Sequence, residues 1–344
     1  MHIESKGFAA ALALALGLSA AGQALAQEVT LTVHHFLGPN STAQRVLLEP
    51  WAQRVQEQSG GRIAVEIYPA MSMGGAAPEL YRQVRDGVAD IVWTLPSYTP
   101  GLFKRLEVFE LPGVHQNSAE ATTLAIQDLM PDLAEDLQDV HPLLVHVHSG
   151  YVLHMRGGAI GGVGDLQGMR LRTPSRIGGW LIEAWGAEPV NMPVPDLPQA
   201  LSRGAVEGAL LPFEAAGPMG LAEITGASVE GPEGARAGTM VFLFAMNRER
   251  YESLPEDLRA VIDANSGLTI AAEVGAGFDA FEAEMAARMA RTRPVVQLSP
   301  EAWESFRAPD EAVAQRWIAD VAGQGIDGAG LIARARAAIA VHGE

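Results

Sequence analysis

Residues 62–96 read RIAVEIYPAMSMGGAAPELYRQVRDGVADIVWTLP. RIAVEIYP is β-branched and aromatic and stops at proline, which predicts a strand. MSMGG then makes a loop, ELYRQVRDG a helix ended by glycine, and ADIVWTLP another strand. Upstream, EVTLTVHHF (28–36) predicts a first strand running into Gly38-Pro39-Asn40, with Ser41 or Thr42 placed to cap a helix. Leu47, Trp51 and Val55 recur at four-residue spacing until Ser59-Gly60-Gly61, and Pro50 bends that helix unless it starts late. Strand, helix, strand, helix, strand at this spacing predicts βαβ units in a parallel sheet: an α/β fold.

The alternation continues downstream. HPLLVHVHSG (141–150) and GMRLRTP (168–174) predict strands, and the helices in WLIEAWGAEPVNMP (180–193) and DLPQALSRGAVEGALLPFE (196–214) close on Gly186 and Gly204. GPEGARAG (231–238) is expected as a surface loop. Residues 255–293 hold no internal proline, and a single helix there would reach on the order of 55 Å. It must either break near Asn265-Ser266-Gly267 or run across two lobes. RPVVQLSP (293–300) predicts a last strand before two terminal helices.

With 344 residues, one large α/β unit or two lobes is expected. The 41 acidic residues against 24 Lys and Arg give a net charge of -17, which argues against nucleic acid because phosphate needs clustered cations. Residues 1–26 carry a lysine, the apolar run FAAALALALGL and an Ala24-Leu25-Ala26 cleavage pattern: a signal peptide directing export. The absence of cysteine excludes disulfides, thiolate metal sites and a lipid-modified Cys. The mature chain is expected to be soluble and not inserted in a membrane.

No GxSxG, HExxH or Cys nucleophile suggests catalysis. Residues 323–328 match GxGxxG but follow a helix, whereas a dinucleotide site needs a strand before the glycines, so the match reads as chance. His146 and His148 share a strand face without a visible third metal ligand, and read as buried-strand histidines. His34 and His35 end the first strand, where ligands gather in α/β sheets. No cofactor and no metal are expected.

The stretch DLQGMRLRTPSRIGGW (165–180) holds three arginines with no adjacent acid after Asp165. Arg170 and Arg172 share one face of a short strand. Arg172 is the last strand residue before Thr173-Pro174, and Ser175 can cap the helix carrying Trp180 and Trp185. A guanidinium beside a helix N-terminus makes a carboxylate site. Arg176 opposes the helix dipole and is expected either to support the same anion or to be solvated; Arg170 is placed at the surface. Trp93, Tyr98, Trp180 and Phe213 near strand ends favour an enclosed pocket.

SGGRIAVEIYPAMSMGG, ELYRQVRDGVADIVW, DLQGMRLRTPS and GAEPVNMPVPDLPQALSRGAVEGALLP, in that order, resemble the extracytoplasmic solute receptors of tripartite ATP-independent periplasmic (TRAP) transporters, the DctP family. NRERYESLPEDLRAVI resembles the segment before that family's long helix. The likeness covers nearly the whole mature chain. It implies a two-lobed, periplasmic-binding-protein-like α/β fold with hinge strands and a long inter-lobe helix. Lobe I would comprise 27–150 plus about 238–278, and lobe II 151–237 plus about 279–344.

The resemblance implies a periplasmic, monomeric, non-enzymatic receptor for a small organic acid, with the membrane subunits of a TRAP permease as its partner. Arg172 falls where the family places its carboxylate-clamping arginine. Leu211 replaces the family's frequent asparagine, which disfavours hydroxyl-rich sugar acids. The site set is therefore Arg172, Arg176, Trp93, Tyr98, His35, Phe213, Leu211 and Trp180, favouring a monocarboxylate with an apolar or aromatic body such as benzoate. Aliphatic 2-oxo or hydroxy acids and C4-dicarboxylates remain open. So do a secreted enzyme using His34, His35 and Glu214, and a receptor that presents its ligand to a sensor.

Overall fold

Two sheets organise the chain, which the computed structural model describes over residues 27–343; the expected signal segment, 1–26, lies outside them. In the first sheet β1 (Val29–His35), β2 (Ile63–Tyr68) and β3 (Ile91–Thr94) run parallel, with Val29 opposite Ile63 and Val33 opposite Ile91. The helices Glu49–Gln58 and Leu80–Arg85 lie between these strands in the chain, as the βαβ pattern requires. The sheet as a whole is mixed, which corrects the expectation of a parallel one. β4 (Val140–Val147) forms its edge, and β10 (Val241–Asn247) inserts antiparallel between β3 and β4. Local alternation announced the first three strands; β10 arrives from far downstream.

Pro50 stands just after a π-helical turn, Ala43–Leu48, at the second residue of the helix Glu49–Gln58, and the helical run continues through it.

The second sheet contains β5 (Val152–Met155), β6 (Arg170–Thr173), β7 (Glu188–Asn191), β8 (Gly208–Leu211), β9 (Ala227–Glu230) and β11 (Val295–Gln297). Their spatial order is β11-β9-β5-β8-β6-β7. β5 is antiparallel to both neighbours, while β6 is parallel to β7 and β8. Each lobe has its own aromatic anchor: Trp51 against Phe244 at 5.1 Å, and Trp185 against Phe306 at 5.2 Å.

The chain passes between sheets at residues 148–151, from β4 into β5, and at 231–240, from β9 into β10. Tyr151 N donates to Gly238 O at 2.8 Å, tying the two passages together. Gly150 has φ +117°, and a Cβ there would stand 2.5 Å from Arg236 Cβ, so neither conformation nor space admits a side chain. Residues 231–238 are thus a lobe crossing and not merely a surface loop. Within them Arg236, partly buried, pairs with Glu230 at 2.9 Å and Glu282 at 3.4 Å.

A third connection is helical. The helix Glu256–Ala264 ends at Asn265, Gly267 N donates to Leu143 O at 2.6 Å, and a new helix runs over Leu268–Ala290. Its 23 residues extend about 35 Å, packing on the helix Ala119–Asp128 in the first lobe and on the turn Phe213–Ala216 in the second. Asp279 on it accepts from Ala119 N at 2.8 Å and Glu120 N at 3.1 Å, a carboxylate at a helix N-terminus. The C-terminal helices divide: Asp310–Ala322 lies against the helix Arg176–Ala184, and Gly328–His342 returns to Ala119–Asp128. Among the described residues no helix is long and apolar enough to cross a membrane.

Candidate ligand-binding site

Arg172 leaves the end of β6 and is 1% exposed. The strand stops there because Pro174 follows and Ser175 caps the next helix, its hydroxyl accepting from Gly178 N at 3.1 Å. A Cβ at Gly178 would lie 2.2 Å from Thr173 Oγ1, so glycine lets this helix start close against the strand end. Arg172 Nε donates to Met192 O at 3.1 Å and Nη1 to Leu210 O at 3.3 Å. These carbonyls, from the segment after β7 and from β8, orient the guanidinium. Its Nη2 is buried and meets no acceptor among the described residues. Burial lowers the Arg172 pKa from its usual value, with Tyr98 and Tyr151 opposing the shift.

Arg172 lines a half-open cavity between the lobes. The cavity offers about 40 Å³ to the centres of water molecules, a few times the ~10–15 Å³ that one water needs. Its walls are aromatic and aliphatic: Phe36, Trp93, Phe242, Phe278, Leu95 and Met240. Trp93 stacks on Phe242 at 4.6 Å and 13°, and on Phe36 at 5.0 Å and 23°. Leu211 and Val194 line it from the second lobe. Tyr98, also in the lining, accepts from Val194 N at 2.9 Å and so joins the lobes through its hydroxyl.

Two further cavity-lining residues carry a polar atom that has no partner among the described residues. The Tyr151 hydroxyl is buried and unbonded, and burial holds its pKa well above the usual value. His148 Nδ1 accepts from Gly150 N at 2.9 Å, which leaves the proton on Nε2. That Nε2 is also buried and unbonded, and burial keeps the ring neutral by holding its pKa well below the usual 6.5. Arg172 Nη2, Tyr151 OH and His148 Nε2 are therefore unused N–H and O–H donors of residues that line an apolar cavity. Leaving such donors unmet is costly, and a carboxylate is the group that satisfies several at once.

Of the residues chosen from sequence, Arg172, Trp93, Tyr98 and Leu211 line this cavity. The others lie outside its lining. Arg176 pairs with Glu107 at 2.5 Å and Asp320 at 2.9 Å, acids brought from distant segments. Trp180 lies half-buried beneath two guanidinium groups, Arg176 at 4.8 Å and Arg316 at 4.2 Å. Phe213 is fully buried against His154 and Arg236, while its neighbours Pro212 and Glu214 reach the lining. His35 stands behind the wall, bonded to Gln44 at 3.0 Å and edge-on to Trp93. Arg170 is committed to Glu207 and to Gly204 O.

Tyr151 and His148 were missed as a pair. Their signal was the short Ser149-Gly150 link between two strands, which becomes informative once those strands belong to different sheets. His146 accepts from Trp93 Nε1 at 2.9 Å and supports the aromatic wall. The GxGxxG match at 323–328 is the turn between two helices.

The buried titratable groups set a pH optimum for the unliganded protein. Burial pushes His35 and His115 down to about 4, and His146 and His154 to about 3. An unfolded chain takes up protons at these sites below about 6.5, and the native state does not, so stability falls as pH drops from there. Burial raises Glu110 and Glu214 to about 8, Glu282 to about 7 and Asp310 to about 6. The native state keeps protons that the unfolded chain releases above about 4, so these groups lower stability as pH rises towards 8. His34, His141 and His148 shift in the same direction as the other histidines, leaving histidine dominant below 6.5 and the carboxyls alone above it. Denaturant melts from pH 4 to 9 should peak near 6.5; a profile rising through pH 8 would contradict this assignment.

Comparison with known proteins agrees with this architecture. The family model for bacterial extracellular solute-binding proteins, family 7 (DctP), matches residues 33–320. A TRAP solute-binding protein from a marine metagenome, described as specific for aromatic acid ligands and co-crystallised with 3-hydroxybenzoate, is 38% identical. It superposes with a TM-score of 0.89, covering 92% of this chain and 100% of that one. A TRAP solute-binding protein from Rhodoferax ferrireducens T118, in complex with copurified benzoate, is 37% identical with a TM-score of 0.88 over 91% of this chain and 98% of its own. The protein TsaT of Comamonas testosteroni, described as an outer membrane transporter protein, is 22% identical across 95% of this chain and 96% of its own. Two sheets joined by paired crossings, closed over a small cavity and matched along most of their length by this family, leave one assignment. The chain belongs to family 7 of the bacterial extracellular solute-binding proteins, the solute receptors of TRAP transporters, and is a receptor, not an enzyme.

Proposed function

We propose that this receptor captures a small monocarboxylate with an aromatic body, of the benzoate type, and delivers it to the membrane permease of a TRAP transporter. The observation that carries the reading is the buried, unpartnered Arg172 Nη2 beside the unpartnered Tyr151 hydroxyl in a cavity walled by Phe36, Trp93, Phe242 and Phe278. Arg172 supplies a charge and a donor to the carboxylate, Tyr151 and neutral His148 supply further donors, and the stacked rings receive the apolar body. Among the described residues Arg172 is the sole Lys or Arg in the lining, so a second carboxylate would lack a counter-ion. The hydroxyls of a uronate would face aromatic carbon. The aromatic acids held by two relatives at 37% and 38% identity favour the same class.

In this reading residues 1–26 direct export to the periplasm, and the receptor works as a monomer, hinging at 148–151 and 231–240. Thermal melting with benzoates, 2-oxo acids, C4-dicarboxylates and uronates tests the ligand class. A ligand that binds only the folded state adds about 2.7 kcal/mol at a hundred times its dissociation constant. Benzoates should raise the midpoint most. A rise with uronates alone would remove the apolar-cavity argument.

A further inference from the structure

Glu214 is the second carboxyl-scale feature of the cavity, and the carboxylate clamp does not use it. It lies in the lining and is 3% exposed. Its backbone is fixed at both ends: N donates to Glu282 Oε2 at 2.7 Å, and O accepts from Thr42 Oγ1 at 3.2 Å. Among the described residues its side chain has no ion pair. Arg236, which lies over the adjacent Phe213, is paired with Glu230 and Glu282. Burial first, and the neighbouring Glu282 second, push the Glu214 carboxyl up to about 8, with Thr42 opposing. At neutral pH it is an uncharged acid with one O–H to donate and a carbonyl oxygen to accept. The Thr42 hydroxyl is the side-chain hydrogen-bond partner of this carboxyl, and its remaining donor and acceptor capacity is left to the cavity that Glu214 lines.

We propose that Glu214 reads a hydroxyl on the ligand's ring, apart from the carboxylate held by Arg172, and disfavours a second carboxylate at that point. This inference rests on the aromatic-acid reading above and refines it. A phenolic hydroxyl can donate to the carboxyl's carbonyl oxygen or accept its proton. A second carboxylate placed there would compel Glu214 to stay protonated and would still lack a cation.

Calorimetric titration of benzoate, 3-hydroxybenzoate, 4-hydroxybenzoate and isophthalate at pH 6.5 tests this, using the parent receptor, Glu214→Gln and Glu214→Leu. One hydroxybenzoate should bind the parent about tenfold more tightly than benzoate, the scale of one well-made buried hydrogen bond, and isophthalate should bind more weakly than benzoate. Glu214→Gln, which still donates and accepts, should keep most of that ratio, and Glu214→Leu should bring it to about one. A parent receptor indifferent to both hydroxyls overturns the proposal without any variant, as does a ratio that survives Glu214→Leu. If none of the aromatic acids binds the parent, the aromatic-acid reading itself fails and takes this inference with it, a result distinct from binding without preference.

Discussion

Arg172→Ala is expected to weaken aromatic-acid binding by about two to three and a half decades. Among the described residues the buried guanidinium is the single Lys or Arg cation in the lining, and removing one partner of a desolvated ion pair costs about 3–5 kcal/mol because the other charge stays buried alone. The substitution also strips Met192 O and Leu210 O of their donor, so folding must be verified by melting before affinity is compared. Arg172→Lys should recover only part of the loss. An ammonium keeps the charge but cannot span both carbonyls and still present a planar edge to a carboxylate. Arg170→Ala is the control: its partly exposed pair with Glu207 is remote from the cavity lining, and ligand affinity should be nearly unchanged. Calorimetry on the three variants decides the matter. A folded Arg172→Ala protein that binds as tightly as the parent would end the carboxylate assignment.

The second large effect concerns closure. Arg176, on the helix that starts beside β6, joins Glu107, which precedes the first lobe's helix Ala119–Asp128, and Asp320, which also holds Lys104 at 2.6 Å. Trp317 Nε1 donates to Glu107 Oε2 at 3.1 Å, so the cluster includes a buried indole. With the Tyr98 hydroxyl on Val194 N, these contacts stitch the lobes together. Arg176→Ala should shift the unliganded protein towards an open form. Its cost lies between that of an exposed pair and a buried one, about 1–2 kcal/mol, or about tenfold in apparent affinity through the smaller closed fraction.

Small-angle scattering should then give a larger radius of gyration for the unliganded variant than for the unliganded parent, with saturating ligand restoring the smaller value. The parent's own affinity should fall with added salt, since the cluster is partly exposed. An affinity loss with an unchanged scattering profile would return Arg176 to the role of a direct anion contact. No change in either would make it a solvated cation.

What was legible in the sequence was whatever depends on near neighbours. The period-two runs and glycine stops located β1, β2 and β3 and the helices between them, because pleat and helix period act within a few residues. Arg172 was legible for the same reason. Thr173-Pro174 ends its strand, Ser175 caps the next helix, and a cation at that junction has few bland explanations. Trp93 and Tyr98 bracket a strand end, where an α/β sheet collects its ligands, whereas Leu211 was legible through the family resemblance.

Only the tertiary structure decided the rest. Arg176 has no acid nearby in the chain, yet Glu107 and Asp320 reach it across 69 and 144 residues. Phe213 and Glu214 are adjacent, but the turn after Pro212 buries the ring in the protein and places Glu214 in the lining. Tyr151 and His148 become a donor pair because β4 and β5 enter different sheets, so that their short link passes between the lobes beside the cavity. Strand order, the insertion of β10 and the facing of two lobes come from contacts between segments far apart in the chain, and no local pattern encodes them.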